Sequence, residues 1–201
     1  MRARVLPYGP TAALIETTGH DPVAVAAVLL DTDRFIEVVP AERSVLVRLR
    51  PGTTLEDVEG IAAAVPDELP TVIGRDVEIP TRYDGADLDL VAEATGLTVD
   101  EVIALHSGTV YRAAFGGFAP GYVYCTGLDP RLHLPRRPTP RTTVPAGSVA
   151  IADVYTAVYP QASPGGWHLL GTTHLELFAL SRPEPTLIRP GDRVHFTVRT
   201  A

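Results

Sequence analysis

Four arginines, Arg131, Arg136, Arg137 and Arg141, stand close together in the sequence, held apart by Pro135, Pro138 and Pro140. A proline-stiffened loop pre-orders guanidinium groups, and their planar forks match carboxylates and phosphates bidentately. A basic run is otherwise a solvated face. In a chain of net charge −7 this cluster stands out, and Arg137 and Arg141 are the anion contacts it points to. With Arg141 exposed, its loss is expected to weaken carboxylate binding and to leave stability little changed. Two glycine-rich segments offer main chain instead. Gly116-Gly117-Phe118-Ala119-Pro120-Gly121 either lets backbone approach a ligand, at Gly117, Phe118, Pro120 and Gly121, or turns a barrel corner. Ser163-Pro164-Gly165-Gly166-Trp167 reads either as a hairpin with a packed tryptophan or as a pocket wall. In the second case Trp167 lines the pocket, and the Gly165 and Gly166 amides face an oxyanion. His106 ends a helical run. There it serves the helix dipole as a cation, or it acts as a catalytic group near the mouth of a barrel.

Other chemistry is excluded by composition. All 17 basic residues are arginine and the chain has no lysine. A P-loop, Schiff-base chemistry and a kinase of the usual plan all need that lysine. Cys125 is the single cysteine, so no internal disulfide forms. His133, His168, His174 and His195 lack metal-ligand spacing, so no metal site is expected in this chain alone. No nucleophile elbow is present. The acidic balance argues against a nucleic acid or an anionic membrane as partner. No apolar run approaches the roughly 18 residues of a membrane span. The opening MRARVLPYGP lacks the apolar stretch of a secretory signal, and the expectation is a cytoplasmic protein.

The elements that must position these residues fall into two groups. In the first, strand patterns at Val5 to Tyr8 and Ala12 to Glu16 flank a Gly9-Pro10 turn. Asp21-Pro22 opens a helix over VAVAAVLL, and strands follow at Phe35 to Val39 and Ser44 to Leu49. Thr54 caps LEDVEGIAAAV, with Asp57 in the capping-box position. The order ββαββα predicts a small α+β domain with helices on one face of an antiparallel sheet, closed by Pro66 and Pro70. The second group opens with the strand DVEIPTRY. Asp87 starts the helix DLDLVAEATG, ended by Gly96, and Thr98 and Glu101 box the helix VDEVIALHSG, ended by Gly108. After Val110 short apolar runs between Pro and Gly predict a closed or nearly closed β-barrel with little helix. The expected domains are residues 1–75 and 76–201.

Four segments in this order carry a resemblance: Ala104 to Ser107, Gly116 to Tyr122, Leu134 to Arg141 running on through Val144 to Val149, and Tyr159 to Trp167. Together they resemble the bacterial family called allophanate hydrolase subunit 1, the KipI-like proteins or the B subunit of 5-oxoprolinase. The resemblance implies an α+β fold, a small ferredoxin-like N-terminal domain followed by a cyclophilin-like β-barrel of carboxyltransferase type. It implies one component of an ATP-dependent 5-oxoprolinase, inactive alone, that opens 5-oxoproline to glutamate. Its implied partners are a larger KipA-like chain (the C subunit of 5-oxoprolinase) and a lactam-utilisation LamB/YcsF-like protein (the A subunit), with ATP handled jointly. Family members also suggest a carboxyl-transfer or allophanate hydrolase-type subunit of urea metabolism, or a non-enzymatic inhibitor of a sensor histidine kinase. This sequence departs from the family pattern at Tyr155, within Asp153 to Ala157, and at Thr172, within Gly171 to His174, which bears on the ligand.

Overall fold

A computed structural model describes residues 4–69 and 71–199. Pro70, expected to help close the first domain, lies outside the described residues. Contacts divide the chain into two compact units, one ending at Ile73 and the other beginning at Gly74.

The first unit runs β1 (Val5–Pro7), β2 (Ala12–Glu16), α1 (Pro22–Leu30), β3 (Phe35–Pro40), β4 (Ser44–Leu49) and α2 (Leu55–Ala64). Both helices start where the local chemistry says. The Asp21 carboxylate accepts from Val23 N with Pro22 in the first turn, and Thr54 and Asp57 form a complete capping box, which satisfies amides that have no partner inside a helix. The sheet is antiparallel in the order β1-β2-β4-β3. That is the β-α-β-β-α-β ferredoxin-like arrangement with its last strand moved to the front. Strand alternation sends Ala13, Ile15, Val45 and Val47 inward, where they meet Val25 and Leu29 of α1 and Val58 and Ala62 of α2.

The second unit begins with β5 (Asp76–Thr81), α3 (Leu88–Thr95) and α4 (Val99–Ser107). Strands β6 (Val110–Gly116), β7 (Val123–Thr126), β8 (Arg141–Val144), β9 (Ser148–Ala152), β10 (Tyr155–Val158), β11 (Ser163–Gly165), β12 (His168–Thr172) and β13 (Arg193–Val198) follow. Among the described residues after Val110 the helical structure is one 3-10 turn, Pro130–Leu132. Seven strands form one sheet, β12-β9-β10-β7-β6-β13-β5. Its ends meet where Arg82 pairs with Thr172, the amides donating to the opposite carbonyls at 2.9 and 2.8 Å, so the sheet nearly closes into a barrel. Two glycines permit that seam. A Cβ on Gly171 would sit 2.3 Å from Arg82 O, and one on Gly85 would sit 2.3 Å from Leu169 O.

β9 is buried along its whole length because it is covered on both faces. Val149 and Ile151 join the main core with Val158, Ile79 and Phe196. Ala150 and Ala152 face a second cluster of Tyr122, Tyr159 and Trp167. The run SVAIADVYTAVY is therefore two strands, β9 and β10, reversed at Asp153, whose φ is +52°.

Candidate functional site

The arginine loop meets an anion, and the anion is internal. Asp87 occupies the N-cap position of α3, as expected, but its carboxylate makes no capping bond. Its Oδ1 instead accepts from Arg137 Nη1 at 2.5 Å and from Arg141 Nη2 at 2.7 Å, while Oδ2 accepts from Leu169 N at 2.8 Å. Asp87 is 2% exposed, and the two arginine side chains are 26% and 24% exposed. Burial pushes the Asp87 pKa up, but the bonds from Arg141 and Leu169 and the charges of both guanidiniums outweigh it and hold the carboxylate below its usual range. Arg141 is thus not the exposed guanidinium on which the expectation of little-changed stability depended. The cluster is partly buried and built around a protein carboxylate. Arg131 is paired with Asp129 at 2.9 Å and Arg136 lies 3.9 Å from Asp153.

Asp87 is the residue that reasoning from sequence missed. No local signal set it apart: Asp21 likewise has no acid three residues on, at Ala24, and its carboxylate does cap α1.

His106 is 0% exposed, which corrects its expected place at a barrel mouth and its expected service as a cation at the helix end. Burial lowers its pKa to about 3, so the ring is neutral. Its hydrogen bonds fix the tautomer. Thr156 Oγ1 donates to Ala150 O at 3.1 Å, because a carbonyl only accepts, so its lone pair receives His106 Nε2–H at 2.9 Å. Nδ1 then accepts the Tyr83 hydroxyl at 2.8 Å. With Phe196 and Tyr111 packed on the ring, His106 pins α4 to β10 and to the residues after β5. Cys125 is also buried, and burial pushes its thiol up to about 12, so it is no nucleophile.

The first glycine-rich segment forms the turn between β6 and β7. Phe118 adopts φ +65°, a left-handed conformation that strains an aromatic residue, and it is 61% exposed. The turn is tied by Gly117 N donating to Tyr122 O at 3.1 Å and Tyr122 N donating to Ala119 O at 3.0 Å. Gly121, at φ +81°, has Phe178 Cβ 2.7 Å from where its own Cβ would be, so this glycine is fixed by packing. Phe118 stands edge-on to Tyr122 at 5.2 Å and to Tyr159 at 6.4 Å, and Tyr122 packs on Trp167 at 5.8 Å. The strained turn thus places one exposed ring over a buried aromatic floor.

The second glycine-rich segment resolves toward packing. Trp167 is 4% exposed within that floor, which corrects its assignment to a pocket wall. Gly165 is small because the Tyr159 hydroxyl lies 2.3 Å from where its Cβ would be. Gly166 accepts from Arg137 N through its carbonyl at 2.8 Å. The structure therefore brings Arg137, Arg141, Gly165, Gly166 and Trp167 into one neighbourhood, with Phe118 and its turn across the same floor. His106 lies apart from them, in the core. Among the described residues no group of three or more His, Cys, Asp or Glu is placed to hold a metal, and no helix is long and apolar enough to cross a membrane.

Residues 3–188 match the family described as carboxyltransferase domain, subdomain C and D. The chain is 40% identical to the B subunit of 5-oxoprolinase from Escherichia coli O157:H7, covering 97% of this chain and 95% of that one. The corresponding B subunit of Bacillus subtilis (strain 168) is 43% identical over 70% of this chain and 59% of its own length. Among solved structures, TTHA0988 superimposes with a TM-score of 0.82 at 36% identity, covering 94% of this chain and 40% of the longer one. Urea amidolyase of K. lactis gives a TM-score of 0.73 at 17% identity, with 98% of this chain matching 15% of that protein, a likeness of fold.

Proposed function

The chain belongs to the carboxyltransferase-domain family, subdomains C and D, that includes the B subunit of 5-oxoprolinase, and on that premise we propose that it fills the same place in an ATP-dependent 5-oxoprolinase. The observation that carries this reading is the end-to-end correspondence with the E. coli protein, 97% of one chain against 95% of the other. In this reading 5-oxoproline, ATP and water give glutamate, ADP and phosphate in the cytoplasm. The chain acts with two partners, a larger KipA-like C subunit together with a LamB/YcsF-like A subunit.

The inventory of reactive groups supports a role that depends on partners. The one thiol is buried and protonated, the buried His106 is neutral, and lysine is missing from the sequence. With no phosphate-binding lysine in the sequence, the phosphate contacts of ATP would come from arginines or backbone N–H groups of this chain, or from a partner. What the chain contributes is a rigid barrel that presents an arginine pair and an exposed ring on a buried aromatic floor.

A permanent partner of this kind buries roughly 2,000 Å² or more in a comparatively apolar interface. Co-expressed with its cognate larger subunit, the chain is expected to co-purify as one stable species at ordinary salt, measured by light scattering coupled to size exclusion. Separate elution of the two chains at micromolar concentration would count against the subunit reading.

A further inference from the structure

Among the described residues, six buried side-chain polar atoms lack a hydrogen-bond partner, and four of them are Arg137 Nε, Arg141 Nη1, Ser163 Oγ and His168 Nδ1. Main-chain pairing puts these residues in one neighbourhood. Gly165 lies opposite Arg141 and Ser163 opposite Val144, Arg137 N donates to Gly166 O, and His168 Nε2 donates to Pro135 O at 2.9 Å. His168 is 7% exposed, so its open ring nitrogen is not an ordinary surface group. Buried polar atoms are nearly always satisfied. Three of these four, Arg137 Nε, Arg141 Nη1 and Ser163 Oγ, are donors that an acceptor from outside the chain would satisfy. Nδ1 of a neutral His168, whose Nε2 proton goes to Pro135 O, is instead a lone pair that asks for a donor.

Charge indicates what that partner is. Asp87 brings one negative charge to two guanidiniums, which leaves the group with one unit of positive charge. Like charges drawn onto a single oxygen repel, and a second anion relieves that repulsion. The arginines are also already ordered. Both are fixed on Oδ1 of a carboxylate that Leu169 N–H holds from behind, while about a quarter of each side chain faces solvent. Pre-ordered donors lose little entropy when a ligand arrives.

We propose that the Arg137–Arg141 pair is a receptor for one further oxyanion, a carboxylate or a phosphoryl group, and that Asp87 is its positioning residue. The proposed function enters only in the choice of ligands: 5-oxoproline and glutamate bring a carboxylate, and ATP brings phosphoryl oxygens. Trp167, the one tryptophan of the sequence, adjoins Gly166 and His168 and reports on the site.

The test titrates the full chain with inorganic phosphate, ATP, L-glutamate and 5-oxoproline, following Trp167 emission and the arginine Nε–H resonances, against sodium chloride at matched ionic strength. A saturable response to at least one of the four is expected. Phosphate and ATP responding alone identify a phosphoryl site; glutamate and 5-oxoproline alone identify a carboxylate site. Arg137→Lys and Arg141→Lys keep a cation for Asp87 but lose the fork, and each is expected to weaken binding about tenfold or more. Asp87→Asn separates positioning from simple electrostatics. Positioning predicts weaker binding although a negative charge has been removed, with recovery in Asp87→Glu. Thermal melts verify that each variant is folded. Absence of any saturable response, or unchanged affinity in both lysine variants, would overturn the site, and tighter binding by Asp87→Asn would overturn the positioning role. Binding by a chain whose assembly is inactive would remove the proposed function and keep the site; an active assembly without binding would do the reverse.

Discussion

Asp87→Ala is expected to destabilise the barrel unit by about 3–5 kcal/mol, the range for removing one partner of a buried ion pair. The carboxylate is 2% exposed and three donors converge on it. Its loss leaves two guanidiniums, each about three-quarters buried, without their shared anion, and Leu169 N–H without an acceptor. A surface pair in the same unit provides the contrast. Arg136 and Asp153 are 3.9 Å apart with both side chains more than half exposed, and breaking them should cost about 0–1 kcal/mol. Urea unfolding followed through Trp167 measures the difference, since that ring is buried in the same unit. The effect also has a pH signature. The folded-state pKa of Asp87 is held below its ordinary value, so its contribution is present above the carboxylate range and is lost as pH falls through the lowered value. The gap between wild type and variant should therefore narrow below about pH 4. A loss under 1 kcal/mol at neutral pH would show that the cluster does not hold the unit together.

Gly171→Ala is expected to open the seam of the barrel. The added methyl would meet Arg82 O at 2.3 Å and both Arg82 C and Tyr83 Cα at 3.0 Å, all backbone atoms that cannot swing away. Relief requires parting Arg82 from Thr172, whose two main-chain bonds close the sheet. Overpacking costs about 1–3 kcal/mol and two lost hydrogen bonds add about 0.5–1.5 kcal/mol each, for a total of about 2–6 kcal/mol. Gly116→Ala is the control in the same unit, because its nearest neighbour would be Tyr122 O at 3.8 Å and the change should stay within about 0.5 kcal/mol. Amide hydrogen exchange should show the bonded amides of Arg82, Thr172 and Gly85 losing protection in Gly171→Ala alone. Equal stability of the two variants would mean that the seam is not a structural element.

The parts of this fold legible in the sequence were those written locally. Thr54 with Asp57 and Thr98 with Glu101 announced two helix starts, and both boxes form. Pro and Gly between short apolar runs after Val110 announced strands. Non-local pairing was not legible. β5 runs parallel to β13, with Asp76 opposite Arg193, and no short-range pattern encodes a partner 117 residues away. The site failed in the same way. An arginine-rich loop shows that an anion is wanted, but Asp87 lies 50 residues from Arg137 in sequence, and only the folded, nearly closed barrel brings them together. His106 looked like a helix-end cation because burial cannot be read from position in a helix. Trp167 divided two readings evenly, and its place under Tyr122 and Tyr124 decides for packing.

The most direct measurement is glutamate formed from 5-oxoproline and ATP, with purified chains combined in every subset. The larger KipA-like subunit, the LamB/YcsF-like protein and this chain together are expected to turn over, with ATP hydrolysis that depends on 5-oxoproline. This chain alone, and the other two without it, are expected to give no glutamate. Turnover by this chain alone, or undiminished turnover by the other two in its absence, would contradict its assignment as an essential subunit.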